Sequence, residues 1–224
     1  MSNFQTARLQ FVPKAVFCDL DGTLADSMTF LYNVYADFMR KNNLEPTPEE
    51  FTGLVGPPIS EVVEILQTRY NLTLNTKELY AQYVALFKEY SHKIPLMPGA
   101  LDFLNHGKSK GTVFYIVTAA SKAYVAKFLH VHQLESFFAD TITMEDTQFS
   151  KPHPAPYQRA LQMSTFEPQE TIAIEDSSSG VASATGAGIK TFWLVPSDGN
   201  TVEWRGDICQ VKDWKSVLEL VYGK

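Results

Sequence analysis

Four short apolar runs alternate with segments of helical periodicity, and this alternation constrains the fold most strongly. The runs cover residues 15–18, 112–117, 171–174 and 189–195, with helical segments such as residues 121–131 and 156–163 between them. Short apolar runs of this kind are typical of strands buried on both faces of a parallel sheet. Strands separated by helices, joined by right-handed crossovers, predict a doubly wound α/β fold.

A block between residue 27 and about residue 96 departs from this alternation. Its apolar side chains recur at helical spacing, as in Phe30, Leu31, Val34, Tyr35, Phe38 and Met39, and again in Leu79, Tyr83, Leu86, Phe87 and Tyr90. Pro95 and Pro98-Gly99 mark the return to the alternating pattern. We therefore expect an α/β core domain of residues 1–26 and 97–224, with a small all-helical cap domain of residues 27–96 inserted after the first strand.

The charge balance and the lack of long apolar stretches exclude several classes of partner. The chain has 25 acidic and 19 basic residues, and the basic ones are scattered, so we expect no nucleic acid polymer as partner. No stretch approaches the roughly 18 apolar residues of a membrane span, and no signal peptide is recognisable. The expectation is a cytoplasmic protein without a membrane partner, in which Cys18 is reduced and buried.

Polar residues follow the predicted strands, where ligands bind in open α/β sheets. These clusters are Asp19-Leu20-Asp21-Gly22-Thr23, Thr118-Ala119-Ala120-Ser121, Ser150-Lys151-Pro152 and Glu175-Asp176-Ser177. Because the carboxyl ends of parallel strands share one edge, we expect the clusters to line one crevice. Independent caps and turns have no reason to occur in this order.

The pair Asp19 and Asp21 is suited to phosphoryl transfer. Gly22 allows the backbone to turn so that both aspartates face one site. Carboxylates and a carbonyl are hard ligands for Mg²⁺, with Glu175 or Asp176 completing the set. Asp19 is then the candidate nucleophile that forms an aspartyl phosphate, and Asp21 the candidate general acid and base.

Donors and positive charge are also needed around the phosphoryl oxygens. Thr118, the amides that follow it, such as that of Ala119, and Lys151 are candidates, and with Gly22 they form the expected substrate-binding set. Ser121 opens a predicted helix whose first amides suit an anion. Taken singly, each feature has a structural alternative, such as a helix cap for Thr118 or a solvent-facing charge for Lys151.

These motifs together resemble those of the haloacid dehalogenase superfamily, over about residues 14–196. Asp19-Leu20-Asp21-Gly22-Thr23-Leu24 with Asp26-Ser27 looks like its first motif, Thr118 its second, Lys151 its third, and Glu175-Asp176-Ser177 with Gly180 its fourth. The resemblance implies a Rossmann-like core, a helical cap after the first strand, and Mg²⁺ held by Asp19, the Asp21 carbonyl and Asp176. The similarity is greatest to the branch of phosphoglycolate phosphatases and β-phosphoglucomutase.

The resulting hypothesis is a magnesium-dependent phosphatase that hydrolyses a small phosphorylated metabolite as a monomer or small homo-oligomer. A sugar phosphomutase of the β-phosphoglucomutase type is the first alternative. The mutases of this branch carry basic residues in a cap loop, whereas the corresponding residues 53–60 here include no Lys or Arg. A non-hydrolytic phospho-acceptor or interaction module is the second alternative. A helical insertion and Asp21 have no purpose in a phospho-acceptor module, and an interaction module has no need for every expected catalytic position to be filled.

Overall fold

The computed structural model describes residues 8–54, 59–90, 94–195 and 204–223. The chain divides into two compact units, of which the second is Asp26–Pro95 and the first takes the chain before Asp26 and from Leu96 onward. Each boundary lies one residue from the one expected from the sequence. We call the first unit the core unit and the second the cap unit.

The core unit contains a seven-stranded sheet. Its strands are β1 (Ala15–Cys18), β2 (Val113–Val117), β3 (Phe138–Ile142), β4 (Thr171–Glu175), β5 (Lys190–Leu194), β6 (Trp204–Arg205) and β7 (Ile208–Val211). They lie in the order β3-β2-β1-β4-β5-β7-β6, and only the β6–β7 pair is antiparallel. This sheet, with its flanking helices, confirms the predicted α/β fold.

Helices of the core unit pack on both faces of the sheet. They are α5 (Ala100–Ser109), α6 (Lys122–His132), α7 (Ala155–Ser164), α8 (Ser178–Gly186) and α9 (Trp214–Tyr222). Phe17 of β1 belongs to one buried cluster with Tyr157 of α7 and Ala184 of α8. Phe103 of α5 packs against Trp214 of α9 in another layer, with the two rings tilted at 52°. Successive strand residues point to opposite faces, and all four residues of β1 are buried, so β1 is covered on both sides; it lies between β2 and β4.

The described residues of the cap unit form helices, as the apolar periodicity predicts. They are α1 (Ser27–Lys41), α2 (Pro48–Thr52), α3 (Ile59–Tyr70) and α4 (Thr76–Tyr90). Asp26 caps α1 by accepting a hydrogen bond from the Thr29 amide. Phe30 of α1 packs edge-on against Phe87 of α4, with 5.0 Å between ring centroids. Burial of these apolar faces holds the helices together.

A single carboxylate joins three helices of the cap unit. Glu50 of α2 accepts hydrogen bonds from Tyr35 of α1 at 2.6 Å, and from Arg69 and Tyr70 of α3 at 2.5 and 3.0 Å. Burial alone would raise the pKa of Glu50, but these donors outweigh it and lower the pKa. The Glu50 side chain is only 9% exposed. This carboxylate therefore fixes α2 between its neighbours.

The sequence pattern located β1, β2, β4 and β5 to within one residue at each end, but it did not indicate β3, β6 or β7. Cys18 is free and buried, as the sequence predicts, and Cys209 is also free and buried. Residues 53–60 were compared above with the basic cap loop of the mutases. Of these, residues 55–58 lie outside the described residues. None of the described helices is long and apolar enough to cross a membrane.

Candidate active site

Asp19 directly follows β1, at the carboxyl edge of the sheet. Its amide donates to the Ile174 carbonyl of β4 at 3.0 Å, and its side chain is 8% exposed. The chain then turns at Gly22, which has a φ of +83°. A Cβ at Gly22 would lie 1.9 Å from Oδ2 of Asp176. Both the positive φ and the close approach of Asp176 therefore require glycine here.

Lys151 lies between two carboxylates. Its ammonium donates to Asp19 Oδ1 at 2.6 Å, to Glu175 Oε1 at 2.5 Å and to the Val117 carbonyl at 2.8 Å. Burial alone would lower the pKa of Lys151, but the two carboxylates outweigh it and raise the pKa. The ammonium therefore remains charged beside the Asp19 carboxylate.

Tyr157 of α7 donates to the same Glu175 oxygen as Lys151 does. Its hydroxyl donates to Glu175 Oε1 at 2.6 Å, and the Lys151 ammonium lies 5.4 Å from its ring centroid. Glu175 Oε2 lies 3.4 Å from the Ser177 hydroxyl, and the Glu175 side chain is fully buried. Both Glu175 oxygens thus have partners, and this side chain is arranged to orient Lys151.

Asp176, the next residue, is only partly enclosed. Ligand oxygens of Asp19, Glu175 and Asp176 all lie within 4.8 Å of one another. Burial, followed by the charge of Asp19, raises the pKa of Asp176 to about 6. Such crowding of carboxylates is relieved by a cation, and the oxygen-only donor set fits Mg²⁺. The Asp21 carbonyl accepts no hydrogen bond from the described residues, so it is available to such a cation.

Trp193 of β5 supports the backbone of this segment. Its indole N–H donates to the Asp176 carbonyl at 2.9 Å, and the Thr23 hydroxyl lies 3.5 Å from Asp176 Oδ1. The indole is half-buried in the sheet. Trp193 therefore fixes the peptide that carries the Asp176 carboxylate.

Asp21 lies in the same turn, two residues after Asp19. Its Oδ1 accepts a hydrogen bond from the Tyr124 hydroxyl of α6 at 2.9 Å. Burial raises the pKa of Asp21, the tyrosine opposes this shift, and the charge of Asp19 adds to it. A carboxyl group with a raised pKa is suited to carrying a proton for general acid catalysis.

Thr118 follows β2 and is buried. Its hydroxyl oxygen accepts from the Ala120 amide at 3.0 Å, which leaves the hydroxyl hydrogen to donate. The exposed Ala119 amide has no hydrogen-bond partner in the described part of the chain. These two groups are thus available to an anion.

Several backbone amides near the site already have hydrogen-bond partners. The Gly22 amide donates to the Ala25 carbonyl at 2.9 Å, so Gly22 offers no free amide to a substrate. Ser121 does cap α6, but its hydroxyl accepts a hydrogen bond from the Tyr124 amide. The Glu145 carboxylate accepts one from the Lys122 amide at 3.1 Å. Since these two first-turn amides are already bonded, the start of α6 has fewer amides to offer an anion than its sequence suggests.

Three residues of the site lie outside the sequence motifs. Tyr157 and Tyr124 lie in helices, and Trp193 lies within an apolar strand. One signal was present for Tyr157, which stands in the helix directly after Lys151-Pro152. A buried tyrosine hydroxyl needs a polar partner, and a carboxylate at the sheet edge supplies one.

Comparison with known proteins gives relatives that span most of the chain. Pyrophosphatase PpaX from Anoxybacillus flavithermus is 29% identical over 214 residues, covering 91% of this chain and 95% of the relative. A phosphorylated carbohydrates phosphatase from Thermotoga maritima is 25% identical over 206 residues, covering 89% of this chain and 94% of the relative.

A solved structure and a family model agree with these relatives. The structure of YfnB from Bacillus subtilis, described as bound to magnesium, has a TM-score of 0.73 at 20% identity, over 95% of this chain and all of that chain. This likeness concerns the fold. The model of haloacid dehalogenase-like hydrolases matches residues 16–194 and confirms the resemblance inferred from the motifs. Since the match covers most of the sequence, the chain belongs to the haloacid dehalogenase-like hydrolases.

Proposed function

We propose that this protein is a magnesium-dependent phosphatase that hydrolyses small phosphate monoesters through an aspartyl phosphate on Asp19. The observation that carries the proposal is the buried Asp19 carboxylate beside the Lys151 ammonium, at 2.6 Å, with the carboxylate of Asp176 in reach. Relatives named pyrophosphatase PpaX and phosphorylated carbohydrates phosphatase support a phosphoryl substrate.

In the first half of the reaction, one Asp19 oxygen attacks phosphorus. The bond from phosphorus to the alcohol oxygen breaks, and Asp21 gives its proton to that oxygen. Lys151 offsets charge on Asp19 and on the phosphoryl group, while the Thr118 hydroxyl and the Ala119 amide donate to phosphoryl oxygens. In the second half, Asp21 takes a proton from water as the water oxygen bonds to phosphorus and Asp19 is released.

The residues that would hold magnesium are Asp19, the Asp21 carbonyl and Asp176. Bound there, the ion neutralises negative charge on the nucleophile and on the phosphoryl oxygens. Glu175 takes another role in this proposal, because both of its oxygens already have partners and one of them receives Lys151 at 2.5 Å. Burial, followed by the charge of Asp19, raises the pKa of Glu175 to about 7, and its hydrogen bond to Lys151 orients the lysine.

The first experiment measures kcat/KM for a panel of small phosphate esters, including sugar phosphates and phosphoglycolate, and for pyrophosphate, with magnesium present. The Asp19→Asn variant should fold and lose nearly all turnover, because an amide is a poor nucleophile and a poor magnesium ligand. If the Asp19→Asn variant turned over substrate as fast as the wild type does, the assignment of Asp19 as nucleophile would be contradicted. No turnover by the wild type on any of these compounds would contradict the proposed function.

A second measurement separates phosphatase from mutase activity. Sugar monophosphates are incubated with the protein, with and without a sugar bisphosphate, and free phosphate and isomer are followed together. Free phosphate should form faster than isomer, because a mutase must hold a second phosphate and the residues 53–60 offer no charged side chain for it. Faster isomer formation would favour the phosphomutase.

A further inference from the structure

Tyr124 approaches the proposed acid–base group from the helix that follows β2. It is the third residue of α6, is half-buried, and its hydroxyl donates to Asp21 Oδ1 at 2.9 Å. The Ser121 side chain caps this helix by accepting the Tyr124 amide at 3.4 Å. The Ser121 N-cap and the first turn of α6 thus set where the phenol lies relative to Asp21.

Among the described residues, Tyr124 is the only hydrogen-bond partner of the Asp21 carboxylate. The Tyr124 hydroxyl is the donor in this contact, because the carboxylate oxygen of Asp21 can only accept. A carboxyl group whose Oδ1 already accepts a hydrogen bond carries its own proton on Oδ2. The hydrogen bond therefore selects one oxygen and restricts rotation of the group.

We infer that Tyr124 is a positioning residue, which orients Asp21 so that Oδ2 gives its proton to the leaving oxygen and later takes one from water. This role rests on the proposed function, in which Asp21 is the acid and base. Proton transfer in a transition state depends on geometry before it depends on pKa. Without the phenol the carboxyl group turns freely, and fewer bound substrates meet a correctly placed proton.

The leaving group separates this role from a structural one. An alkoxide needs a proton to leave, whereas p-nitrophenolate leaves without one. Since kcat/KM reports the steps up to departure of the first product, it isolates the proton donation. Loss of the Tyr124 hydroxyl should therefore slow hydrolysis of an alkyl phosphate and spare p-nitrophenyl phosphate, whereas loss of general stability would affect both substrates alike.

The experiment compares Tyr124→Phe with wild type on an alkyl phosphate taken from the panel and on p-nitrophenyl phosphate. The kcat/KM for the alkyl phosphate should fall about tenfold, the effect of one hydrogen bond to a charged group, and that for p-nitrophenyl phosphate less than about twofold. Tyr222→Phe is the matched control, because Tyr222 is also half-buried in the core unit and donates to Thr112 at 3.0 Å, away from the site. It should change neither value.

A second comparison tests whether Tyr124 acts through Asp21. In an Asp21→Asn background, Tyr124→Phe should change the residual kcat/KM for the alkyl phosphate less than about twofold, because the group that it orients is gone. A tenfold further loss there, or an equal loss on both substrates with Tyr124→Phe alone, would overturn the positioning role and leave the proposed function intact. A wild type inactive on both substrates would overturn the proposed function and this role with it.

Discussion

The substitution Lys151→Met tests how the charges at the end of β1 are balanced. The ammonium lies 2.6 Å from Asp19 and 2.5 Å from Glu175, whose side chains are 8% and 0% exposed. Methionine keeps much of the side-chain volume but leaves two buried carboxylates without a counter-charge. Removing one partner of a buried ion pair costs about 3–5 kcal/mol, so we expect the free energy of unfolding to fall by about that amount.

A matched control exists on the surface of the same unit. Lys14 and Glu170 are also 2.5 Å apart, but their side chains are 61% and 35% exposed. Solvent screens such a pair, so Lys14→Met should lower the free energy of unfolding by less than about 1 kcal/mol. The two substitutions are chemically identical and differ in burial.

Tryptophan fluorescence in a urea titration provides the assay. Trp193, Trp204 and Trp214 are the three tryptophans of the chain, and all lie in the core unit. The signal therefore reports unfolding of the unit that contains the site. A chelator is present throughout, so that no metal ion replaces the missing ammonium.

A double-mutant cycle completes the test. In a Glu175→Gln background only one carboxylate loses its counter-charge, so the cost of Lys151→Met should shrink by about 1–3 kcal/mol. If Lys151→Met were no more destabilising than Lys14→Met, or if the Lys151 and Glu175 substitutions were additive, the buried charges would not be coupled and this reasoning would be refuted.

Three further predictions concern the metal, the turn and the cap unit. Trp193→Phe removes the donor to the Asp176 carbonyl, so the magnesium concentration for half-maximal activity should rise about tenfold or more in a metal titration; an unchanged titration would contradict this. Gly22→Ala puts a Cβ 1.9 Å from Asp176, so activity should be lost while circular dichroism shows a folded protein, and an active Gly22→Ala would mean that the turn adapts. Glu50→Gln should lower the free energy of unfolding of the cap unit by about 1–3 kcal/mol at pH 7, measured by hydrogen exchange. The pKa of Glu50 is lowered in the folded state. The difference in the free energy of unfolding between wild type and Glu50→Gln should therefore be present above the unfolded pKa and vanish as the pH falls through the folded pKa. A difference that stays constant with pH would contradict the role given to the Glu50 carboxylate.

The strands that the sequence predicts are those with continuous apolar side chains. β1 and β4 are buried along their whole length, and their composition alone indicates them. The strand β3 has the sequence Phe-Ala-Asp-Thr-Ile and lies at one edge of the sheet, where two of its residues are exposed. Such a strand forms because β2 offers it hydrogen bonds, and this tertiary effect leaves little trace in composition.

In the candidate site, too, some residues can be predicted from the sequence and others depend on tertiary contacts. Asp19 and Lys151 could be named from their order along the chain, because each follows a strand or a loop at one edge of the sheet. Tyr124 could not, since its role depends on where α6 directs the phenol, 103 positions away from Asp21 in sequence. The sequence also could not show that Glu175 is the residue that binds Lys151, because the side chains of two adjacent acidic residues in a strand point to opposite sides.

The chain enters and leaves the cap unit through hydrogen-bonded neighbours. The Asp26 amide donates to the Pro95 carbonyl at 2.9 Å, and the Met97 amide donates to the Leu24 carbonyl at 2.7 Å. For the core unit, the entire cap therefore amounts to an insertion whose two ends meet, and its length adds little to the entropy of closing that loop. An insertion of this kind can be replaced by another of different length and sequence without moving the residues around Asp19. The length and sequence of the cap unit can therefore vary while the strand order of the core unit stays the same.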